Sequence, residues 1–228
     1  MIASCKNFLL VGNSRLHWAS KLENETTFFH TQKINNVPKN INLDDLIWAS
    51  VGDLPQFFLK KENEIETSEI KLDNLPNFFG IDRALGCVAA LKIIENPRKR
   101  NLLIADFGTT LSITKLTADG KIIGGQIIPG FITQLKSMEQ NTRNLTIPKK
   151  QYIPNNNFSI KTQDAMLKGV FNSLIGAINL SFDPNSDILI ICGGDSELIS
   201  DSLNKNESII VEPNLVMIGM IEHNQTSI

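Results

Sequence analysis

One short constellation occurs twice in the 228-residue chain, the copies about 96 residues apart. In the later copy the apolar run Leu102-Leu103-Ile104-Ala105 ends in Asp106-Phe107-Gly108-Thr109-Thr110 and passes into a second apolar run. In the earlier copy Phe8-Leu9-Leu10 leads into Val11-Gly12-Asn13-Ser14-Arg15 and then Leu16-His17-Trp18-Ala19. The glycine and a hydroxyl residue recur in register, and Leu10 stands where the later copy has Asp106. A strand, a glycine turn lined with hydroxyl and amide groups, and a returning strand make a hairpin whose tip can hold phosphate through backbone N–H groups. Two such hairpins facing each other can grip one nucleotide.

Phosphoryl transfer from ATP needs donors that hold the phosphates, a cation that neutralises them and a carboxylate that orients or deprotonates the attacking hydroxyl. Asn13 and Ser14 at the first tip, and Gly108, Thr109 and Thr110 at the second, are candidates to line a phosphate channel. Asp82 and Arg83 follow Gly80 and open an apolar helix, either as a cap with a solvated neighbour or as a base beside an anion anchor. Gly193-Gly194-Asp195 after a buried strand is either a strand-to-helix turn or a turn that leaves room for a flat base. Gly124-Gly125 and Pro129-Gly130 bracket a strand at points where backbone can approach a ligand or another strand. His17, His30 and His223 have no metal-ligand spacing, and His17 beside Trp18 reads as structural. The absence of GxxxxGK[ST] excludes the lysine-bearing phosphate loop.

The elements that must position these groups follow from periodicity and turn chemistry. Strands are expected at 7–12, 14–20, 27–32, 46–51 and, weakly, 65–72, with helices at 54–62 and 81–94, the latter stopped by Pro97. The second half repeats the plan: strands at 101–107, 110–117 and 121–128, with Asp119-Gly120 as a hairpin turn, a helix at 132–141, and a polar loop through Pro148 and Pro154. The longest helix runs over 162–180, with Thr162 as N-cap and Asp164 in its first turn. A buried strand at 188–192, a helix at 196–203, a strand at 208–211 and a helix from 214 complete the chain. Two mixed α/β domains, 1–98 and 99–228, are the expected organisation.

With 42% apolar and 20% charged residues the composition is that of an ordinary globular protein. The balance of 22 basic against 24 acidic side chains, a net charge of −2, gives no support for nucleic-acid binding. Cys5, Cys87 and Cys192 lack paired spacing and read as reduced thiols. No basic leader precedes an apolar run and no apolar stretch nears about 20 residues, so no membrane is expected and a cytoplasmic location is.

Taken together, Gly12-Asn13-Ser14, Gly80-Ile81-Asp82-Arg83, Asp106-Phe107-Gly108-Thr109-Thr110, Gly124-Gly125-Gln126-Ile127-Ile128-Pro129-Gly130, Thr162 with Gly169, and Gly193-Gly194-Asp195 resemble the type III pantothenate kinases, also called the Baf family. The resemblance implies a duplicated actin-like, ribonuclease H-like ATPase fold, shared with acetate and sugar kinases, Hsp70 and actin, with a nucleotide cleft between its domains. It further implies ATP-dependent phosphorylation of pantothenate in the first step of coenzyme A synthesis. Mg²⁺ with the ATP, a monovalent cation (K⁺ or NH₄⁺) and a homodimer with the pantothenate site at the subunit boundary follow from the same resemblance. By it, Asp82 is the general base; Gly80, Ile81, Asp82, Arg83 and a partner's Thr162 bind pantothenate; Gly12, Asn13, Ser14, Arg15, Gly108, Thr109, Gly193 and Gly194 bind ATP; and Asp106 holds the monovalent cation. Where the family opens with Asp-x-Gly-Asn-Thr this chain has Leu10, which offers Mg²⁺ no ligand, and the aromatic that many members present before the glycine falls to Phe78 or Phe79. The alternative on the same scaffold is a non-catalytic nucleotide-binding or regulatory Baf-like protein, for which Leu10 is the main argument.

Overall fold

A computed structural model of the chain describes residues 5–23, 25–32, 37–57, 59–95, 99–200 and 207–226. In chain order the elements are β1 (Lys6–Val11), β2 (Arg15–Leu22), β3 (Glu25–Gln32), β4 (Ile47–Ser50), α1 (Ile81–Ile93), β5 (Asn101–Phe107), β6 (Thr110–Leu116), β7 (Ile122–Pro129), α2 (Phe131–Asn141), α3 (Thr162–Ser181), β8 (Asp187–Cys192), α4 (Ser196–Ser200), β9 (Ile209–Val211) and α5 (Leu215–Thr226). The described residues of Met1–Glu95, Asp119–Ile122 and Asn214–Ile228 form one compact unit, and those of Asn96–Ala118 and Ile123–Pro213 another. No described helix is long and apolar enough to cross a membrane.

The first unit holds a four-stranded sheet in the order β3-β2-β1-β4, with β1 antiparallel to β2 and parallel to β4. β1 is apolar on both faces because both are covered. Phe8, Leu10, Ala19 and Ala49 pack toward α1 and α5, whereas Leu9, Val11, Leu16, Trp18 and Trp48 form a second cluster with Phe29 and Phe57. Trp18 stacks on both of those phenylalanines, ring centroids 6.2 and 6.3 Å away, and its indole N–H donates to Thr31 Oγ1 at 3.1 Å.

Among the described residues two expected elements are absent. The segment read as a helix over 54–62 and a strand over 65–72 folds instead as local turns, with 3-10 helix at Lys61–Asn63 and Thr67–Glu69. Local polar bonds win here over apolar periodicity: Lys61 bridges Glu64 and Glu66, and the Glu66 N–H donates to Glu69 Oε2 at 2.8 Å. Ile65 and Ile70 are nonetheless buried, so the apolar signal marked burial rather than a strand.

The expected boundary at residue 98 and the stop at Pro97 lie outside the described residues, but the C-terminal helix departs from a simple two-half division. Met217, Met220 and Ile221 of α5 join the core of the first unit against Ala84 and Leu85 of α1. Gly219 makes the approach possible, since a Cβ there would run into the backbone carbonyl of Leu85. In the second unit the sheet order is β7-β6-β5-β8-β9, with β5 antiparallel to β6 and parallel to β8. Leu103, Ala105, Phe107 and Ile113 pack beneath Leu167, Val170, Phe171 and Leu174 of α3 and Phe131 and Leu135 of α2. Asp187, fully buried at the start of β8, is held by Lys115 at 2.8 Å and by Asn101 at 3.3 Å.

The start of α3 corrects the expected cap. Lys161, in an extended conformation, is the N-cap and Thr162 is the first helical residue. The Ser159 hydroxyl accepts from the Lys161 N–H at 3.1 Å, and the Tyr152 hydroxyl donates to Asp164, so the chain enters the helix one residue earlier than Thr162 alone would dictate. For the helix expected at 196–203, α4 covers Ser196–Ser200 and residues 201–203 lie outside the described residues.

Gly219→Ala is expected to lower stability by about 1–3 kcal/mol, because the new methyl must push two packed helix backbones apart. Urea denaturation of the full chain measures it; an unchanged midpoint would show that α5 does not rest on α1 this way.

Candidate functional site

The two hairpins close differently. In the first, the Gly12 N–H donates to Arg15 O at 3.0 Å, and Val11 faces Leu16, leaving Gly12, Asn13, Ser14 and Arg15 as the tip. In the second, the Gly108 N–H donates to Thr110 O at 3.0 Å, and Phe107 faces Leu111, leaving Gly108, Thr109 and Thr110. Arg15 is thus the extra residue of the earlier copy. Asn13, Ser14, Arg15, Gly108, Thr109 and Thr110 are all exposed, as ligand-binding tips must be. Leu10 points away from this role: it is 6% exposed and packs with Phe8, Ala49 and Ile81 in the core of the first unit.

The start of α1 gathers the candidate base and anchor. Gly80 is the N-cap and contributes no side-chain bond; a Cβ on it would lie 2.7 Å from Asp82 Oδ1, so glycine keeps that carboxylate uncovered. Asp82 Oδ1 accepts the Arg83 N–H at 2.8 Å. The Arg83 guanidinium lies 4.0 Å above the Phe79 ring, which fixes its plane. Burial raises the Asp82 pKa above the ordinary carboxylate value, while the bond from the Arg83 N–H and the Arg83 charge draw it part of the way back. A turn further along α1, burial pushes the Cys87 thiol up to about 12, so it is no nucleophile at neutral pH; Cys192 is likewise buried.

Beside Gly80 and Ile81 lies a groove of about 630 Å³, within the size range of small-molecule sites. Ser50 and Val51 at the end of β4, Thr67 and Ser68 in the 3-10 turn, and Asn77 and Phe79 before α1 line it. Thr67 Oγ1 donates to Phe79 O at 2.9 Å and ties two walls together. The sequence reading passed over Ser50, Thr67, Ser68 and Asn77 because their segments looked like plain strand or break. The signal that marks them is the cluster of hydroxyl and amide residues in a stretch of weak periodicity. Of the two aromatics before the glycine, Phe79 lines the groove and Phe78 is 92% exposed.

In the second unit Asp106, Gly108, Thr109 and Gly193 come together. Asp106 is half-buried at the end of β5, opposite Ser112 of β6 and Cys192 of β8. Gly193 has φ +87°, and a Cβ on it would run into Asp106 Oδ1 and the Phe107 backbone, so only glycine fits there. The Asp195 N–H donates to Phe107 O at 3.2 Å, fixing the Gly193-Gly194 turn against β5. Gly130 serves the same hairpin: its N–H donates to Thr109 O at 3.0 Å, Thr133 Oγ1 donates to that oxygen at 2.6 Å, and a Cβ on Gly130 would strike Gly108 O. Thr162 stands exposed at the start of α3. The expected site residues are therefore divided, with Gly12–Arg15 and Gly80–Arg83 in the first unit and Asp106, Gly108, Thr109, Thr162, Gly193 and Gly194 in the second.

The sequence model of the type III pantothenate kinase family matches residues 34–183. The chain is 29% identical over 232 residues to a type III pantothenate kinase of Synechocystis sp., covering 93% of this chain and 87% of that protein. It is 27% identical over 242 residues to one of Synechococcus elongatus, covering 93% of each. Among solved structures, one described as a Baf family transcriptional activator from Campylobacter jejuni superposes with a TM-score of 0.68 at 19% identity, over 97% of this chain and 98% of that one. A structure described as a 2-dehydro-3-deoxygalactonokinase from Sinorhizobium meliloti does so with a TM-score of 0.58 at 10% identity, over 97% and 99%. At such identities these structures speak for the fold, which is the actin-like and sugar-kinase ATPase fold with two mixed α/β sheets.

Leu10→Asp is expected to destabilise the chain by about 1–3 kcal/mol, since it sets a carboxylate among the apolar side chains of Phe8, Ala49 and Ile81. Thermal melts at pH 7 check this, and an unchanged melting temperature would show that position 10 still opens onto a polar pocket.

Proposed function

The chain belongs to the type III pantothenate kinase family, and from that membership we propose how its own residues divide the work. The reaction is phosphorylation of pantothenate by ATP in coenzyme A biosynthesis. The observation that carries the residue assignment is the trio at the start of α1: a carboxylate raised by burial, an arginine laid over Phe79, and a glycine that leaves both uncovered beside the groove.

Asp82 accepts the proton of the pantothenate hydroxyl as that oxygen attacks the γ-phosphorus of ATP. The bond from phosphorus to the bridging oxygen breaks, and ADP leaves with the electron pair. A raised pKa makes the carboxylate a stronger base than one in water. Arg83 pairs with the pantothenate carboxylate, and the Phe79 face holds the guanidinium in position so that less freedom is lost on binding. Gly80 and Ile81 complete the substrate wall. Gly12, Asn13, Ser14 and Arg15, with Gly108 and Thr109, hold the phosphates through backbone N–H and side-chain donors, and Gly193 and Gly194 receive the nucleoside. Thr162 serves the site of the second subunit in a homodimer, and Asp106 holds the monovalent cation, K⁺ or NH₄⁺.

Mg²⁺ bound with ATP neutralises charge on the phosphates. Among the described residues no group of three or more His, Cys, Asp or Glu side chains forms a metal cage, and Leu10 has no oxygen to give. Such a donor set suits an ion held chiefly by phosphate oxygens and water. A non-catalytic regulatory protein would have no use for a desolvated carboxylate beside a stacked arginine, which weighs against that reading.

Asp82→Asn is expected to lower kcat by about 10²–10⁴-fold with little change in the KM for ATP, read by a coupled ADP-release assay with pantothenate. The stability sign is opposite: a carboxyl whose pKa is raised on folding stabilises the folded state only when protonated, and that contribution is lost as pH rises through its folded value. The amide should therefore melt no lower than the parent at pH 7. Retained turnover in this variant would remove Asp82 from the role of base.

A further inference from the structure

The structure places two imidazoles side by side where the sequence reading saw only unrelated histidines. His17 of β2 stands directly opposite His30 of β3, so both side chains rise from the same face of the sheet. Their ring centroids are 6.4 Å apart, with planes tilted by 46°. The other cross-strand neighbour of His17 is Leu10, which occupies the position that carries Asp106 in the second hairpin. A Cβ on Gly12 would come within 3.3 Å of His17 Nε2, so the ring backs onto the first turn. His17 is half-buried and His30 exposed. Nitrogen donors thus stand one strand (His17) and two strands (His30) away from the position that carries a carboxylate in the second hairpin.

We propose that His17 and His30 form a two-imidazole site for a borderline divalent ion such as Co²⁺, Ni²⁺ or Zn²⁺, at the base of the first phosphate hairpin. Imidazole suits these ions, whereas Mg²⁺ prefers oxygen. Metal–nitrogen bonds of about 2.0–2.1 Å require the rings to approach somewhat closer, and rotation of the exposed His30 supplies that movement. With no third His, Cys, Asp or Glu grouped with the pair among the described residues, water and nucleotide phosphate oxygens fill the remaining positions. That last feature rests on the kinase reading. Arg15 repels a bare cation, and phosphate at the tip would offset that charge, so nucleotide should tighten metal binding.

Untagged full chain stripped with EDTA is titrated with Co²⁺ alone, read by visible d–d absorption and calorimetry, then again with the non-hydrolysable analogue AMP-PNP. One Co²⁺ per chain is expected; His17→Gln and His30→Ala should each weaken it about tenfold or more, and His223→Ala should leave it unchanged. AMP-PNP should tighten Co²⁺ binding by about tenfold or more, as added phosphate ligands and the neutralised arginine require. The exposed position of His30 keeps that variant folded, and a melting curve verifies His17→Gln. Parent-like Co²⁺ affinity in His30→Ala or dependence on His223 would each overturn the proposal, whereas histidine-dependent Co²⁺ binding that is indifferent to AMP-PNP would overturn only the nucleotide coupling and count against the kinase reading it rests on. The metal-alone titration needs no turnover, so failure of the kinase assignment and failure of this site remain distinguishable.

Discussion

On the proposed reading, Asp82 must be desolvated enough to be basic and yet open to a substrate, and that double demand sets the terms for the elements around it. Water lowers the pKa of a carboxyl by solvating its charge, so a base of this type has to sit against apolar material on one side only. Asp82 meets that demand at the first turn of α1, whose Ile81, Ala84 and Leu85 are buried behind it. The helix stays in place because α5 returns from the far end of the chain to cover it. Gly80 leaves the remaining side open, and Arg83, held on Phe79, supplies a charge that draws the carboxyl's pKa part of the way back.

The duplicated hairpins show how one plan serves two chemistries. In the second unit the acidic residue survives, and its cost is a glycine at 193 in a left-handed conformation, because Asp106 and the Phe107 backbone fill the space a side chain would need. In the first unit the equivalent position, Leu10, has joined the hydrophobic core. An extra residue, Arg15, lengthens that tip and adds an exposed positive charge to it.

The strands were legible to within a residue or two because glycine turns and apolar runs report on local backbone, and the pairs β1/β2 and β5/β6 are built from residues close in sequence. The segment between β4 and α1 was misread because Ile65 and Ile70 are buried by local turns that polar side chains hold, and burial alone does not choose between strand and turn. The attachment of α5 was hidden for another reason: its partner lies more than a hundred residues away, and what permits the contact is the missing side chain of Gly219. Asp82 and Arg83 were visible as a pair, while the groove beside them was not, since Ser50, Thr67 and Asn77 meet only through tertiary folding. His17 and His30 likewise gain meaning only from register.

The central claim is that folding raises the basicity of one carboxyl. It is tested most directly by ¹³C NMR titration of chain labelled at the aspartate side-chain carboxyls, with the Asp82 resonance assigned by its loss in the asparagine variant. The account predicts a midpoint clearly above the ordinary carboxylate value of about 3.9. A midpoint at or below that value would mean that solvent and Arg83, rather than burial, govern the group, and the account of the base would be wrong.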